Sequence, residues 1–165
     1  VHKFDINGVV LNINSQKEAE EAYNSILKNV ARYSPDASVE GVLVTRQLPK
    51  GEEVILGINR DPVFGPVIMF GAGGIYVEVF EDVSFKVVPV DEKSAAKMIE
   101  GIKAYPLLTG FRGRPSYDIH TVKEIIMRLS QFAMDCPQVK TLDVNPLIVL
   151  EEGKGAYIAD ANIML

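Results

Sequence analysis

Four oxygen-bearing residues near the end of the chain have the types and spacing of a cation site. Two strand-like stretches, residues 140–150 and 156–163, flank the turn sequence Glu151-Glu152-Gly153-Lys154-Gly155. A two-residue turn at Glu152-Gly153 sets Glu151 opposite Lys154. Counting back along both strands then brings Asn145 opposite Asp160 and Asp143 opposite Asn162. Directly opposed residues share a face of the sheet, and so do alternate residues along one strand. Asp143, Asn145, Asp160 and Asn162 therefore stand together, while Leu142, Val144, Ala159 and Ala161 face the other way. Oxygen donors without thiols or imidazoles suit Mg²⁺, a hard cation that takes one or two carboxylates and leaves its other positions to water and phosphate. The same quartet also fits a solvated sheet face, and a register slip of one residue would disperse it.

Other candidates are each open to two readings on residue type alone. Glu53, at a strand start after Lys50-Gly51-Glu52, can accept from ribose hydroxyls or be a surface carboxylate. The glycines from Gly65 to Gly74 can bring backbone amides against phosphate, or they can make bulges and turns. Arg112 and Arg114, in Gly110-Phe111-Arg112-Gly113-Arg114-Pro115, can hold a phosphate or a partner's carboxylate, or sit in a solvated loop. His2, beside Lys3 and Asp5, can be a nucleophile or an ordinary terminal residue. His120, beside Asp118 and Thr121, reads as a surface or capping residue.

Several elements are needed to position these groups. Residues 9–13 have strand composition, and Ser15 with Glu18 forms a capping box ahead of Ala19, Ala22, Tyr23, Ile26, Leu27 and Val30 at helical spacing. That helix is expected to end near Tyr33. Residues 39–48 and 53–60 read as strands, and Asp61-Pro62-Val63-Phe64-Gly65 makes a tight antiparallel connection into residues 66–70. Residues 75–80 and 83–89 continue the β character. Asp91 can cap a second helix with Ala95, Met98, Ile99 and Ile102 on one face. Residues 105–117 read as a loop, and a third helix carries Val122, Ile125, Ile126, Leu129 and Ala133 up to Pro137. Short antiparallel pairs mixed with three helices make an α/β or α+β domain.

The bulk composition narrows the function classes. Hydrophobic residues make up 47% of the 165 positions and charged residues 24%, as in an ordinary globular domain. A net charge of −5 argues against a nucleic-acid partner, since such partners are held through basic patches. The single cysteine, Cys136, excludes an internal disulfide and a cysteine-based zinc site. No apolar run approaches the length of a bilayer crossing, so no membrane partner and a cytoplasmic location are expected. The chain opens at Val1 rather than at a methionine, which suggests a fragment of a longer chain.

Five motifs carry a resemblance in order along the chain: His2-Lys3-x-Asp5-x-x-Gly8-Val9-Val10-Leu11, Pro49-Lys50-Gly51-x-Glu53-Val54-Ile55, the run from Arg60 to Gly71, Gly110-Phe111-Arg112-Gly113-Arg114-Pro115, and Leu142-Asp143-Val144-Asn145-Pro146-Leu147. Together they resemble the β subunit of ADP-forming acetyl-CoA synthetases, relatives of succinyl-CoA synthetase with an ATP-grasp domain. The resemblance implies an ATP-grasp fold of mixed and antiparallel sheet with helices, its amino-terminal lobe incomplete, over residues 1–165. It implies an acid–thiol ligase that makes ATP from acyl-CoA, phosphate and ADP, with Mg²⁺ as cofactor and a CoA-binding α subunit as partner in a hetero-oligomer. His2 matches the histidine that relays the phosphoryl group, and Asp143 the acid that stabilises the phosphohistidine. Asn145 and Asp160 match magnesium ligands and Glu53 the ribose-binding glutamate. Thr45, Arg46, Gln47 and Leu48 match the adenine-contacting hinge. The chain departs from the family pattern at Phe4 and Asn7, usually serine and glycine, and at Arg46-Gln47, often Glu-Met. An alternative is a regulatory ATP-grasp module of a protein acetyltransferase, which would bind nucleotide without forming phosphohistidine.

Overall fold

Extended segments become strands only where another strand accepts their backbone groups, and this separates two parts of the chain. The computed structural model describes residues 6–74 and 81–165. They fall into two units, Val1–Gln47 and Leu48–Leu165.

The first unit is built on helix α1, Gln16–Tyr33. The Ser15 hydroxyl accepts from the Glu18 amide at 3.2 Å, while the Glu18 carboxylate takes the amide of Asn14 at 2.7 Å rather than that of Ser15. The helix ends where expected, and none of its residues is fully buried. Residues 9–13 and 39–48, which read as strands from composition, form no ladder. β-branched content favours an extended chain but cannot pair it. Instead a pair of side-chain bonds ties these segments: the Asn12 amide donates to Gln47 Oε1 at 2.7 Å, and Gln47 Nε2 donates to Asn12 Oδ1 at 2.9 Å.

The second unit is an antiparallel sheet with helices on one face. Its strands are β1 (Glu52–Asp61), β2 (Gly65–Ala72), β3 (Val83–Val87), β4 (Thr141–Val149), β5 (Ala156–Ile158) and β6 (Ala161–Met164). They lie in the order β3-β2-β1-β4, with β5 and β6 both beside β4. The Asp61 carboxylate accepts from the amides of Val63 and Phe64 at 2.8 and 2.9 Å, which closes the β1–β2 turn. Helix α2, Glu92–Glu100, is capped by Asp91, which accepts from the Ser94 amide at 2.8 Å. The stretch 105–117 is not all loop: Tyr105–Leu108 forms the short helix α3, and Phe111–Gly113 a single 3₁₀ turn. The α3 start is held by Asp82, which accepts from the amides of Lys103 and Ala104, both at 2.7 Å. Helix α4 spans Ile119–Asp135 and is capped by Asp118, not by His120. Hydrogen bonds from Thr121 and Gly155 help hold the Asp118 carboxyl below the usual carboxylate range.

The core lies between α2, α4 and one sheet face, where Leu56, Ile68, Phe70, Ile99 and Ile126 are fully buried. Each such side chain contributes about 1.5–3 kcal/mol on removal from water. Along β1 the residues in this core are Val54, Leu56 and Ile58. Glu53, Ile55, Gly57 and Asn59 consequently point to the opposite face.

Candidate nucleotide and metal site

The hairpin that carries the oxygen quartet has the register expected from its turn. The Lys154 amide donates to the Glu151 carbonyl at 2.9 Å and the Leu150 amide to Gly155 at 2.9 Å, with Gly153 at φ 76. Asp143 of β4 stands opposite Asn162 of β6. The Asn145 amide donates to the Asp160 carbonyl at 3.1 Å, and the Ala159 amide to the Pro146 carbonyl at 3.0 Å. On the other face Leu142 and Val144 enter the core, with Ala161 opposite Val144.

A bulge shapes the centre of this arrangement. Between the pairs Val54↔Leu147 and Leu56↔Val144, one residue of β1, Ile55, opposes two of β4, Asn145 and Pro146. The core-facing residues of β4 run Leu142, Val144, then Leu147 and Val149, so the alternation skips at Asn145-Pro146, whose peptide bond is cis. The partner strand breaks at the same level, between β5 and β6, at Ala159-Asp160. Bulges re-aim side chains in this way. Here Asn145 and Asp160 are left exposed beside a half-buried Asp143.

The electrostatics favour a cation. Burial, and then the charge of Asp160, push the Asp143 carboxyl above the ordinary aspartate range. A second negative charge nearby disfavours ionisation, and a shared cation reverses the effect. The donors are all oxygens, and two carboxylates with an amide fit a hard divalent ion that keeps water or phosphate as further ligands. Among the described residues no group of three or more His, Cys, Asp or Glu could hold a metal, which leaves no room here for an all-protein cage.

Glu53 lies on the same sheet face. Asp143 pairs with Gly57 of β1, and Glu53 is four residues before Gly57, about 13 Å along the strand. The Glu53 carbonyl accepts from the Gly73 amide at 2.8 Å. A Cβ on Gly73 would lie 2.7 Å from the Glu53 carbonyl carbon. Gly71 and Gly73 therefore serve close backbone packing, whereas Gly65 has open space around it and Gly74 only the Glu53 carboxylate at 3.6 Å. Gly57, opposite Asp143, is a further close approach, since a Cβ there would lie 3.2 Å from the Leu142 carbonyl oxygen, as glycine inside a strand signals.

The remaining candidates are spread more widely. Thr45, Arg46 and Gln47 belong to the first unit and Leu48 to the second. His2 lies outside the described residues, as do residues 75–80. Arg114 Nη1 lies 3.6 Å from the Glu52 carboxylate, and its side chain is 59% exposed. His120 is a surface residue, 74% exposed and 3.5 Å from Glu124.

Comparison with known proteins adds lineage to this geometry. The family model of the ATP-grasp domain matches residues 1–165. The chain belongs to the ATP-grasp family. Among its ATP-grasp relatives, the β subunit of ADP-forming acetate–CoA ligase I of Pyrococcus furiosus is 44% identical over 165 residues, covering 100% of this chain and 70% of that one. The ADP-forming 4-hydroxybutyrate–CoA ligase of Nitrosopumilus maritimus is 46% identical, and this chain spans 24% of its length. A solved structure of dinucleotide-forming acetyl-coenzyme A synthetase 1 of Ca. Korarchaeum cryptofilum, in complex with coenzyme A, Ca-AMPCP and HgCl⁺, superposes with a TM-score of 0.89 at 45% identity, over 100% of this chain and 71% of that one. Another structure of that enzyme holds coenzyme A and Mg-AMPPCP, with its phosphohistidine segment pointing towards the nucleotide binding site (TM-score 0.84, 41% identity, over 100% of this chain and 71% of that one). The ATP-grasp fold and the lineage expected from the motifs both hold.

Proposed function

We propose that this ATP-grasp chain is the nucleotide-binding subunit of an ADP-forming acyl-CoA synthetase and passes a phosphoryl group from phosphohistidine to ADP. The observation that carries the reading is the Asp143–Asp160 carboxylate pair, joined by Asn145 at the bulge, on the sheet face that also bears Glu53. Asn145 and Asp160 are the metal ligands, and the ion is Mg²⁺. When bound, Mg²⁺ neutralises charge on the phosphates. Glu53 accepts from the ribose hydroxyls, and Thr45, Arg46, Gln47 and Leu48 line the adenine. The roughly 13 Å between Glu53 and the level of Asp143 suits a nucleoside at one end and its phosphates at the other.

His2 receives the phosphoryl group from a histidine of a CoA-binding α subunit and gives it to ADP. In the second step the P–N bond to His2 breaks as a β-phosphate oxygen of ADP bonds to phosphorus, and the imidazole recovers its lone pair. Phosphoryl transfer needs little covalent help, so the protein's task is positioning and charge balance. Asp143 orients the imidazole and stabilises its charged form, as carboxylates do for other activated nucleophiles.

The test is ATP formation from acetyl-CoA, phosphate and ADP by the complex of the complete chain with its CoA-binding subunit. His2→Ala and Asp160→Ala are each expected to lose turnover while gel filtration shows assembly intact. Full turnover in His2→Ala would mean that phosphate passes directly from the α subunit to ADP. Nucleotide binding by the wild-type complex without ATP formation or phosphohistidine would replace the enzyme reading with that of a binding module.

A further inference from the structure

An ionised Asp143 only accepts hydrogen bonds, and the oxygens of a phosphoryl group do the same. A phosphoryl group that passes this carboxylate therefore needs a donor close by. Asp143 has four immediate neighbours on its face of the sheet. Across the ladders stand Gly57 of β1 and Asn162 of β6, and along β4 stand Thr141 and Asn145. Gly57 brings no side chain, and the Met69 methyl lies 3.4 Å from where its Cβ would be. Asn145 is given to the metal. Thr141 lies on the far side of Asp143 from that ion, four residues or about 13 Å from Asn145. Asn162 is the neighbour that remains.

The ladder fixes where Asn162 stands. The Asn145 amide donates to the Asp160 carbonyl at 3.1 Å, and hydrogen-bonded pairs recur every second residue along an antiparallel pair. Asp143 and Asn162 are the next such pair, with their Cβ atoms about 5 Å apart. Asn162 is exposed, and among the described residues its carboxamide is engaged by no other group. It stands two residues, about 7 Å, beyond Asp160. Side chains stand nearly upright on a sheet, so this spacing keeps Asn162 out of the coordination sphere of an ion held by Asp160. It does not keep it from a phosphate on that ion. An Mg²⁺–oxygen bond of about 2.1 Å and a hydrogen bond of about 2.9 Å, joined across one phosphoryl group, span the gap.

We propose that Asn162 is a catalytic residue whose carboxamide N–H₂ donates to an oxygen of the phosphoryl group as it moves from phosphohistidine to ADP. The proposal rests on the functional reading above. Asn162 forms no covalent bond. The P–N bond breaks, the bond from phosphorus to the β-phosphate oxygen forms, and the carboxamide holds the moving group between the two. A neutral amide suits this place, because it donates without competing with the ion for Asp143 and Asp160. Its hydrogen bond also strengthens as negative charge gathers on the transferring oxygens, so it favours the transition state over the bound nucleotide.

The experiment uses the complete chain with its CoA-binding subunit. It measures the single-turnover rate of phosphoryl transfer from the phosphorylated chain to Mg-ADP, and Mg-ADP affinity by calorimetry. Asn162→Ala is expected to slow transfer about tenfold or more, with Mg-ADP affinity unchanged. Asn162→Asp replaces the donor by a further carboxylate and is expected to be slower still. Asn162→Gln keeps the donor on a longer arm and is expected to stay faster than Asn162→Ala. A wild-type transfer rate in Asn162→Ala overturns the proposal and leaves the functional reading standing, as does an Asn162→Asp variant that outpaces Asn162→Ala. A slower rate matched by an equal loss of Mg-ADP affinity also overturns it, because Asn162 then serves nucleotide binding and not transfer. If the wild-type complex forms neither phosphohistidine nor ATP, the functional reading fails and the role of Asn162 with it.

Discussion

Asp143 shows at the scale of one residue how a site works against stability. Its carboxyl is pushed up by burial and by Asp160. A raised acid holds its proton more tightly folded than unfolded, so its contribution to stability is complete below the unfolded pKa and is lost as pH rises through the folded one. Asp143→Asn is therefore expected to raise thermal stability near neutral pH and to leave it unchanged in strong acid. The gain is about 0.5 kcal/mol, kept small by solvent screening of a half-exposed pair. A lower melting temperature for Asp143→Asn near neutrality would show that the charge is stabilising here. The pairing of Asp143 with Asn162 and of Asn145 with Asp160 was legible in the sequence, because Gly153 fixes the turn and strand residues alternate with period two. The bulge at Asn145-Pro146 was not, because it arises from the register of β4 against β1, a strand remote in sequence.

At the scale of elements, the helices were legible because Ser15, Asp91 and Asp118 cap them locally and apolar residues recur at three and four. Residues 9–13 and 39–48 misled for the complementary reason: composition makes a segment extended, but a strand also needs a partner. Long-range support was equally hidden. Arg60 of β1 donates from Nη2 to the carbonyls of Ala133 and Cys136 at 2.6 and 3.0 Å, and from Nε to Val139 at 2.6 Å. It thus caps the carboxy-terminal end of α4, where carbonyls lack partners and a positive charge meets the helix dipole. Arg60→Ala should cost about 2–3 kcal/mol, the penalty for charged hydrogen bonds lost and carbonyls left bare, as read by urea unfolding. A loss below the scatter of surface substitutions would remove this capping role. At Gly73 an added Cβ would meet Glu53 backbone, so Gly73→Ala is expected to destabilise by about 1–3 kcal/mol and to weaken nucleotide binding through displacement of Glu53. Unchanged nucleotide affinity in that variant would separate Glu53 from the ribose.

The whole molecule distributes its roles across the chain. The second unit supplies a sheet whose face opposite the α2–α4 core carries Glu53, Asp143, Asn145 and Asp160, and the loop 110–115 meets the start of β1 where Arg114 lies 3.6 Å from Glu52. Antiparallel pairing, core and caps follow from patterns that a single sequence displays. The identity of the ligand does not, because oxygen donors on a sheet face look the same whether they meet water or a metal. The central claim is that Asn145 and Asp160 hold the metal of a bound nucleotide. Calorimetric titration of Mg-ADP into the complete chain, wild type against Asp160→Ala, tests it most directly. The account predicts a loss of about tenfold or more in affinity, the scale on which a bound divalent ion loses one of its few protein ligands. Equal affinity in the two proteins would contradict it.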